Sequence, residues 1–197
     1  MSAIKPDING AAGLTLVELL IVLSIVALLL AAGVPSFRHY LQTQQVNNAA
    51  GDFLFALNLA RSEAMRRGTR VDLAARDGND WQSGWQVFVR QSGADKYTVG
   101  SDDELIHSHA PLKLPLKLVA RLSDRSGAYI AYNASGRTRT NVSTLTRQWG
   151  SWQFSLNGQA RLIRLTLAGR ARMCNPATDN SCQFAEVTET DDTSYTE

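Results

Sequence analysis

Residues Leu14 to Val34 read LTLVELLIVLSIVALLLAAGV, and Glu18 is the one charged side chain among them. As an α-helix rising about 1.5 Å per residue, this run spans roughly 31 Å, the thickness of a bilayer's hydrocarbon core. It predicts a transmembrane helix over 14–34. A secretory signal peptide is one competing reading, because Ala31-Ala32-Gly33 supplies small residues near its end. Such a peptide has a shorter apolar core behind a basic segment, whereas here Lys5 is set against Asp7. A plain single-pass anchor is the other. Neither accounts for a carboxylate five residues into the run, which costs about 3 kcal/mol in a bilayer and calls for a partner or a function.

Past Pro35 the pattern becomes amphipathic. Phe37, Tyr40, Leu41, Phe53, Leu54, Leu57, Ala60 and Ala64 stay in helical phase, which predicts an apolar face over 35–67. Pro35 is expected to kink the helix, and Arg66-Arg67 before Gly68 to end it. Beyond Gly68 the period shifts to two: Val71, Leu73 and Ala75, then Trp85, Val87 and Val89, and later Ile163, Leu165 and Leu167. Leu116–Leu122, Ala128–Asn133 and Trp152–Leu156 also read as strands. Turn residues separate them at Asp77-Gly78-Asn79, Ser92-Gly93, Ser135-Gly136 and Asn157-Gly158, the last a hairpin signal with a loop of two residues or more. The expected class is α+β: a long helix packed on a mainly antiparallel β-sheet head.

Charge is distributed unevenly. Nine arginines and one acid, Asp124, lie between Arg121 and Arg172, a local excess of 9 − 1 = +8. After Arg172 there is no Lys or Arg, and Asp179, Glu186, Glu189, Asp191, Asp192 and Glu197 make the end of the chain acidic. The asymmetry points to a polyanionic partner for the basic part. The tail is expected to be disordered beyond Cys182.

Gly13-Leu14-Thr15-Leu16-Val17-Glu18 resembles the type IV prepilin cleavage site. The resemblance implies a leader over 1–13, a cut by prepilin peptidase between Gly13 and Leu14, N-methylation of Leu14, and a role for Glu18 in assembly. Leu14 departs from the usual Phe. Ala60-Arg61-Ser62-Glu63-Ala64-Met65-Arg66-Arg67-Gly68 and Trp81-Gln82-Ser83-Gly84-Trp85-Gln86-Val87-Phe88 closely resemble the minor pilins and pseudopilins of the GspH/FimT/FimU group. Membership implies an inner-membrane, single-pass subunit with a periplasmic head over 68–173. Its partners would be other pilins or pseudopilins, and its work fibre priming or tip assembly, without catalysis. A type II secretion minor pseudopilin with no nucleic-acid role is the alternative.

Gly169-Arg170-Ala171-Arg172 looks like the DNA-binding element of FimT-type pilins active in natural transformation, and Gly136-Arg137-Thr138-Arg139 repeats the pattern. Together with Arg161 and Arg164, and with Arg147 nearby in sequence, these arginines form a candidate site for the backbone of double-stranded DNA, since guanidinium groups hold phosphates through several donors. A solvated strand face is the plainer reading. Few aromatics interleave with the arginines, so base stacking is not indicated. In an oxidising periplasm Cys174 and Cys182 would close a small loop over 174–182, with intermolecular pairing left open. His107 and His109, two ligands without a third, are read as surface residues, and Asp102-Asp103-Glu104, without calcium-loop spacing, as an acidic turn. No cofactor, metal or nucleophile motif is expected.

Overall fold

The structure is a computed structural model that describes residues 15–91, 99–124, 126–141, 143 and 145–184. The expected leader and cleavage site, Gly13 and Leu14 included, and the acidic tail from 185 onward lie outside the described residues.

Helix α1 runs Leu16–Arg67 and continues through Pro35. The chain divides into a unit ending at Leu41 and a second unit beginning at Gln42. In the first, every described residue from Thr15 to Ala31 is exposed, and an 18-residue window has a mean hydropathy of 2.7. Phe37, Tyr40 and Leu41, read from sequence as the start of a packed face, are exposed as well. The buried stripe begins at Val46 and continues through Ala49, Ala50, Phe53, Ala56, Leu57, Ala60 and Ala64. Small residues dominate it, which lets strands approach the helix backbone.

Among the described residues, the second unit adds nine strands: β1 Val71–Asp77, β2 Asp80–Val89, β3 Glu104–His109, β4 Lys117–Leu122, β5 Tyr129–Tyr132, β6 Thr138–Arg139, β7 Gly150–Leu156, β8 Gln159–Leu165 and β9 Ala171–Cys174. They form two antiparallel sheets, ordered β3-β2-β1-β5-β6 and β4-β7-β8-β9. The α+β class expected from sequence holds, with the antiparallel strands divided between two sheets. Alternation reveals that a strand has two faces but carries no record of its neighbours. Phe53 joins the layers, with its ring centroid 5.0–5.5 Å from Trp81 and Trp85 of β2 and 4.9–5.8 Å from Trp152 and Phe154 of β7. Trp81 and Trp85 are buried strand residues, as their pattern predicts.

The turns follow their chemistry. Asn157 (φ 46°) and Gly158 (φ 85°) form a two-residue loop between the paired Leu156 and Gln159. Positive φ at both positions fits the twist of the flanking strands, hence Asn-Gly. Strand β8 ends at Leu165; Leu167, expected on the strand, lies in the following turn and is exposed.

Candidate nucleic-acid interface and N-terminal assembly motif

Two hairpin turns of the same design present the Gly-Arg pairs. In Asn133–Arg137, Gly136 N–H donates to Asn133 O (2.8 Å) and Asn133 N–H to Arg137 O (3.0 Å). In Thr166–Arg170, Gly169 N–H donates to Thr166 O (2.8 Å) and Thr166 N–H to Arg170 O (3.0 Å). Both glycines have positive φ, 70° and 77°, so each Arg is the first residue returning from a turn that ends on glycine. The glycines also meet each other: a Cβ on Gly169 would stand 2.3 Å from Gly136 O. Space and backbone conformation thus both require glycine here, and the two Gly-Arg-x-Arg stretches lie side by side.

Register assigns the remaining arginines to faces, since directly opposed residues of an antiparallel pair point to the same side. Arg121 of β4 pairs with Ser151, Ser151 with Arg164, and Arg164 with Arg172, giving one row across the four-stranded sheet. Its neighbours Trp152, Phe154 and Ile163 point the other way, into the core. Arg161 opposes Phe154 and so sits on that inner face, apart from the row. Arg139 opposes Ala131 on the outer face of the five-stranded sheet. There, burial first and then the like charge of Arg70 hold its guanidinium below its ordinary affinity for protons. The six arginines expected as one cluster are therefore distributed: Arg164 with Arg172, Arg137 and Arg170 beside touching glycines, Arg139 and Arg161 elsewhere. Arg121 and Arg147 join the row's neighbourhood instead. Their membership depends on strand pairing, which sequence spacing does not encode.

Cys174 and Cys182 are joined, with Cα atoms 5.9 Å apart. The loop between them lies on the row. Arg164 Nη1 donates to Ser181 O (2.6 Å), and Arg172 Nη2 donates to Ser181 Oγ (3.0 Å). Arg172 Nη1 stands 3.8 Å from Asp179. Hydrogen bonds from the Ser181 hydroxyl and N–H, then Arg172, lower the proton affinity of Asp179. Farther along, Arg121 lies 4.4 Å over the Phe184 ring. The partner of Arg164 and the nearer partner of Arg172 are a carbonyl and a hydroxyl, both neutral. Arg147, Arg164 and Arg172 border an open groove of about 650 Å³.

The weaker candidates are engaged structurally. His109 stacks on Trp85 at 3.9 Å and lies 3.6 Å from Asp52, and His107 packs on Phe55. Asp103 accepts from Arg90 and from the N–H groups of Gln91 and Gly100. Glu104 pairs with Arg67 at 2.6 Å. At the start of α1, Glu18 N–H donates to Thr15 Oγ1 (3.2 Å). Thr15-x-x-Glu18 is the pattern of a capping box, visible in the sequence, and it places the acid in the positive first turn of the helix.

Residues 49–169, more than half of the chain, match the family model for type II transport protein GspH. Residues 8–34 match that of the prokaryotic N-terminal methylation motif. No curated protein shows significant similarity to the chain. The solved type IV minor pilin FimU of Pseudomonas aeruginosa superposes with a TM-score of 0.52 at 18% identity, over 70% of this chain and 94% of that one. The minor pseudopilin EpsH from the type 2 secretion system of Vibrio cholerae gives a TM-score of 0.45 at 14% identity, over 67% of this chain and 98% of that one. With its long helix, two antiparallel sheets and N-terminal methylation motif, the chain belongs to the GspH family of pilin-like proteins.

Proposed function

We propose that this chain is a membrane-anchored minor subunit of a type IV pilus-class filament, cut between Gly13 and Leu14 and methylated on Leu14. The observation that carries the reading is the union of a GspH-family head with a fully exposed apolar helix that follows the Gly13-to-Glu18 signature. Cleavage frees an α-amine at Leu14, about one helical turn from the Glu18 carboxylate. Such an amine and such an acid on neighbouring stems neutralise each other in lipid, where either alone is costly. The stem stays in the inner membrane or packs with other pilins, and the head stands in the periplasm.

Arg164 and Arg172 on the outer face of the four-stranded sheet, with Arg170 and Arg137 at the two touching turns, bind the DNA backbone for uptake. Support comes from the paired guanidinium groups of Arg164 and Arg172 and the neutral Ser181 atoms they meet. The second reading, a secretion pseudopilin with no DNA role, draws on the description of the matching family as a type II transport protein. Mass spectrometry of the membrane-extracted chain tests the anchor and processing: a mature N-terminus at Leu14, heavier by one methyl group, is expected. An intact Met1 end in cells with active prepilin peptidase overturns it. DNA affinity decides between the two readings of the head.

A further inference from the structure

The groove beside the arginine row has a feature that phosphate binding does not require. Of the four tryptophans, Trp81, Trp85 and Trp152 are at most 2% exposed, whereas Trp149 is 38% exposed. Trp149 lines the groove together with Leu167, itself 46% exposed, and with Arg147, Arg164 and Arg172. Its backbone is fixed on both sides: Trp149 N–H donates to Ser123 Oγ (3.0 Å), and Ser123 N–H donates to Trp149 O (3.0 Å). The indole therefore stands on an anchored segment.

A duplex offers charged phosphates outward and keeps its base faces stacked inward. An apolar floor between guanidinium groups contributes little to holding it. An unpaired strand offers both surfaces at once, a flat base face and the phosphates beside it. Aromatic rings stack on bases of any sequence, and arginines hold the adjoining backbone.

We propose that this groove binds single-stranded DNA, with Trp149 stacked on an unpaired base and Arg147, Arg164 and Arg172 on the flanking phosphates. The proposal rests on the reading of the arginine face as a DNA-binding surface and specifies its substrate. Arg147 and Trp149 become binding residues although neither belongs to a Gly-Arg-x-Arg stretch.

The test uses the full chain in detergent micelles, titrated with a 20-nucleotide oligothymidylate and separately with a 20-base-pair duplex at matched salt. Because the other three indoles are buried, Trp149 dominates the quenchable part of the intrinsic fluorescence. The oligothymidylate should quench that signal and shield it from acrylamide. Trp149→Ala should weaken single-strand affinity about tenfold, with Trp149→Phe recovering most of it and duplex affinity unchanged in both. The acrylamide measurement on the unsubstituted chain keeps the test valid if Trp149→Ala misfolds. Single-strand binding without quenching, or undiminished in Trp149→Ala, overturns the proposal. Duplex binding without single-strand binding overturns it while leaving the DNA reading intact. If neither probe binds, the proposal and the DNA reading both fail.

Discussion

The two sheets of the head carry arginines on their outer faces, and the same side chain does opposite things on each. On the five-stranded sheet, Arg70 and Arg90 converge on Asp72, which is fully buried, at 2.6 and 3.3 Å, and Arg90 also reaches Asp103 at 3.3 Å. Arg70 donates to Asn141 as well. Asp124 accepts from the Tyr129 hydroxyl nearby. Positive charge there is matched by negative charge and enclosed. On the four-stranded sheet, Arg164 and Arg172 meet a carbonyl, a hydroxyl and, at 3.8 Å, one carboxylate. An arginine count says little about binding; the local supply of counter-charge decides whether arginines build the fold or face a ligand.

The sharpest way to break this comparison is to remove the counter-charge on each side. Asp72→Ala leaves Arg70 and Arg90 enclosed without their acid and should cost about 3–5 kcal/mol, read from chemical denaturation of the full chain in detergent. Asp179→Ala, on the exposed side, should leave the unfolding midpoint in place. Equal effects would erase the distinction between the faces.

Replacing both Cys174 and Cys182 with Ser should lower stability by roughly 2–3 kcal/mol in the chain-entropy view of an eight-residue separation. It should also loosen Ser181 from Arg164 and Arg172, visible as faster amide exchange over 175–182. Unaltered exchange would mean that the arginine contacts hold the loop without the bond.

A third group of arginines, at the end of α1, resembles the enclosed ones in being paired. Hydrogen bonds from Arg66 and then Arg67 hold the Glu63 carboxyl down at about 2. Because this value lies below that of an unfolded glutamate, the contribution is complete above about pH 4.5. It is lost as pH falls towards 2. Glu63→Gln should flatten that part of the stability profile, measured by thermal unfolding at stepped pH; an identical acid limb in the variant would count against the pairing.

Much of this was readable in the chain. The apolar run, the switch to period two after Gly68 and the Asn157-Gly158 turn are local signals, and they give the helix, most strands and the α+β class. The division into two sheets was not readable, because it depends on which strands become neighbours. The arginine face was half legible for the same reason. Gly136 and Gly169 mark real turns, but placing Arg121 with Arg164 and Arg172, and Arg161 opposite them, takes the register of β4, β7, β8 and β9. The burial of Phe37, Tyr40 and Leu41 was over-read because periodicity continues past the point where strands cover the helix. Thr15-x-x-Glu18 is the converse case, a local capping signal overshadowed by the question of why an acid stands in an apolar run.

The central claim for the head is that Arg164 and Arg172 on the four-stranded sheet hold DNA while Arg70 and Arg90, held by Asp72 on the other sheet, do not. Its most direct test is the salt dependence of DNA affinity for the full chain in detergent. Contact with about four phosphates predicts that log K falls with log salt at a slope near −3 to −4. Arg164→Gln with Arg172→Gln should flatten that slope by about 2, and Arg70→Gln, at a guanidinium paired with Asp72, should leave it unchanged. A slope unmoved by the double substitution, or moved equally by Arg70→Gln, would contradict the claim.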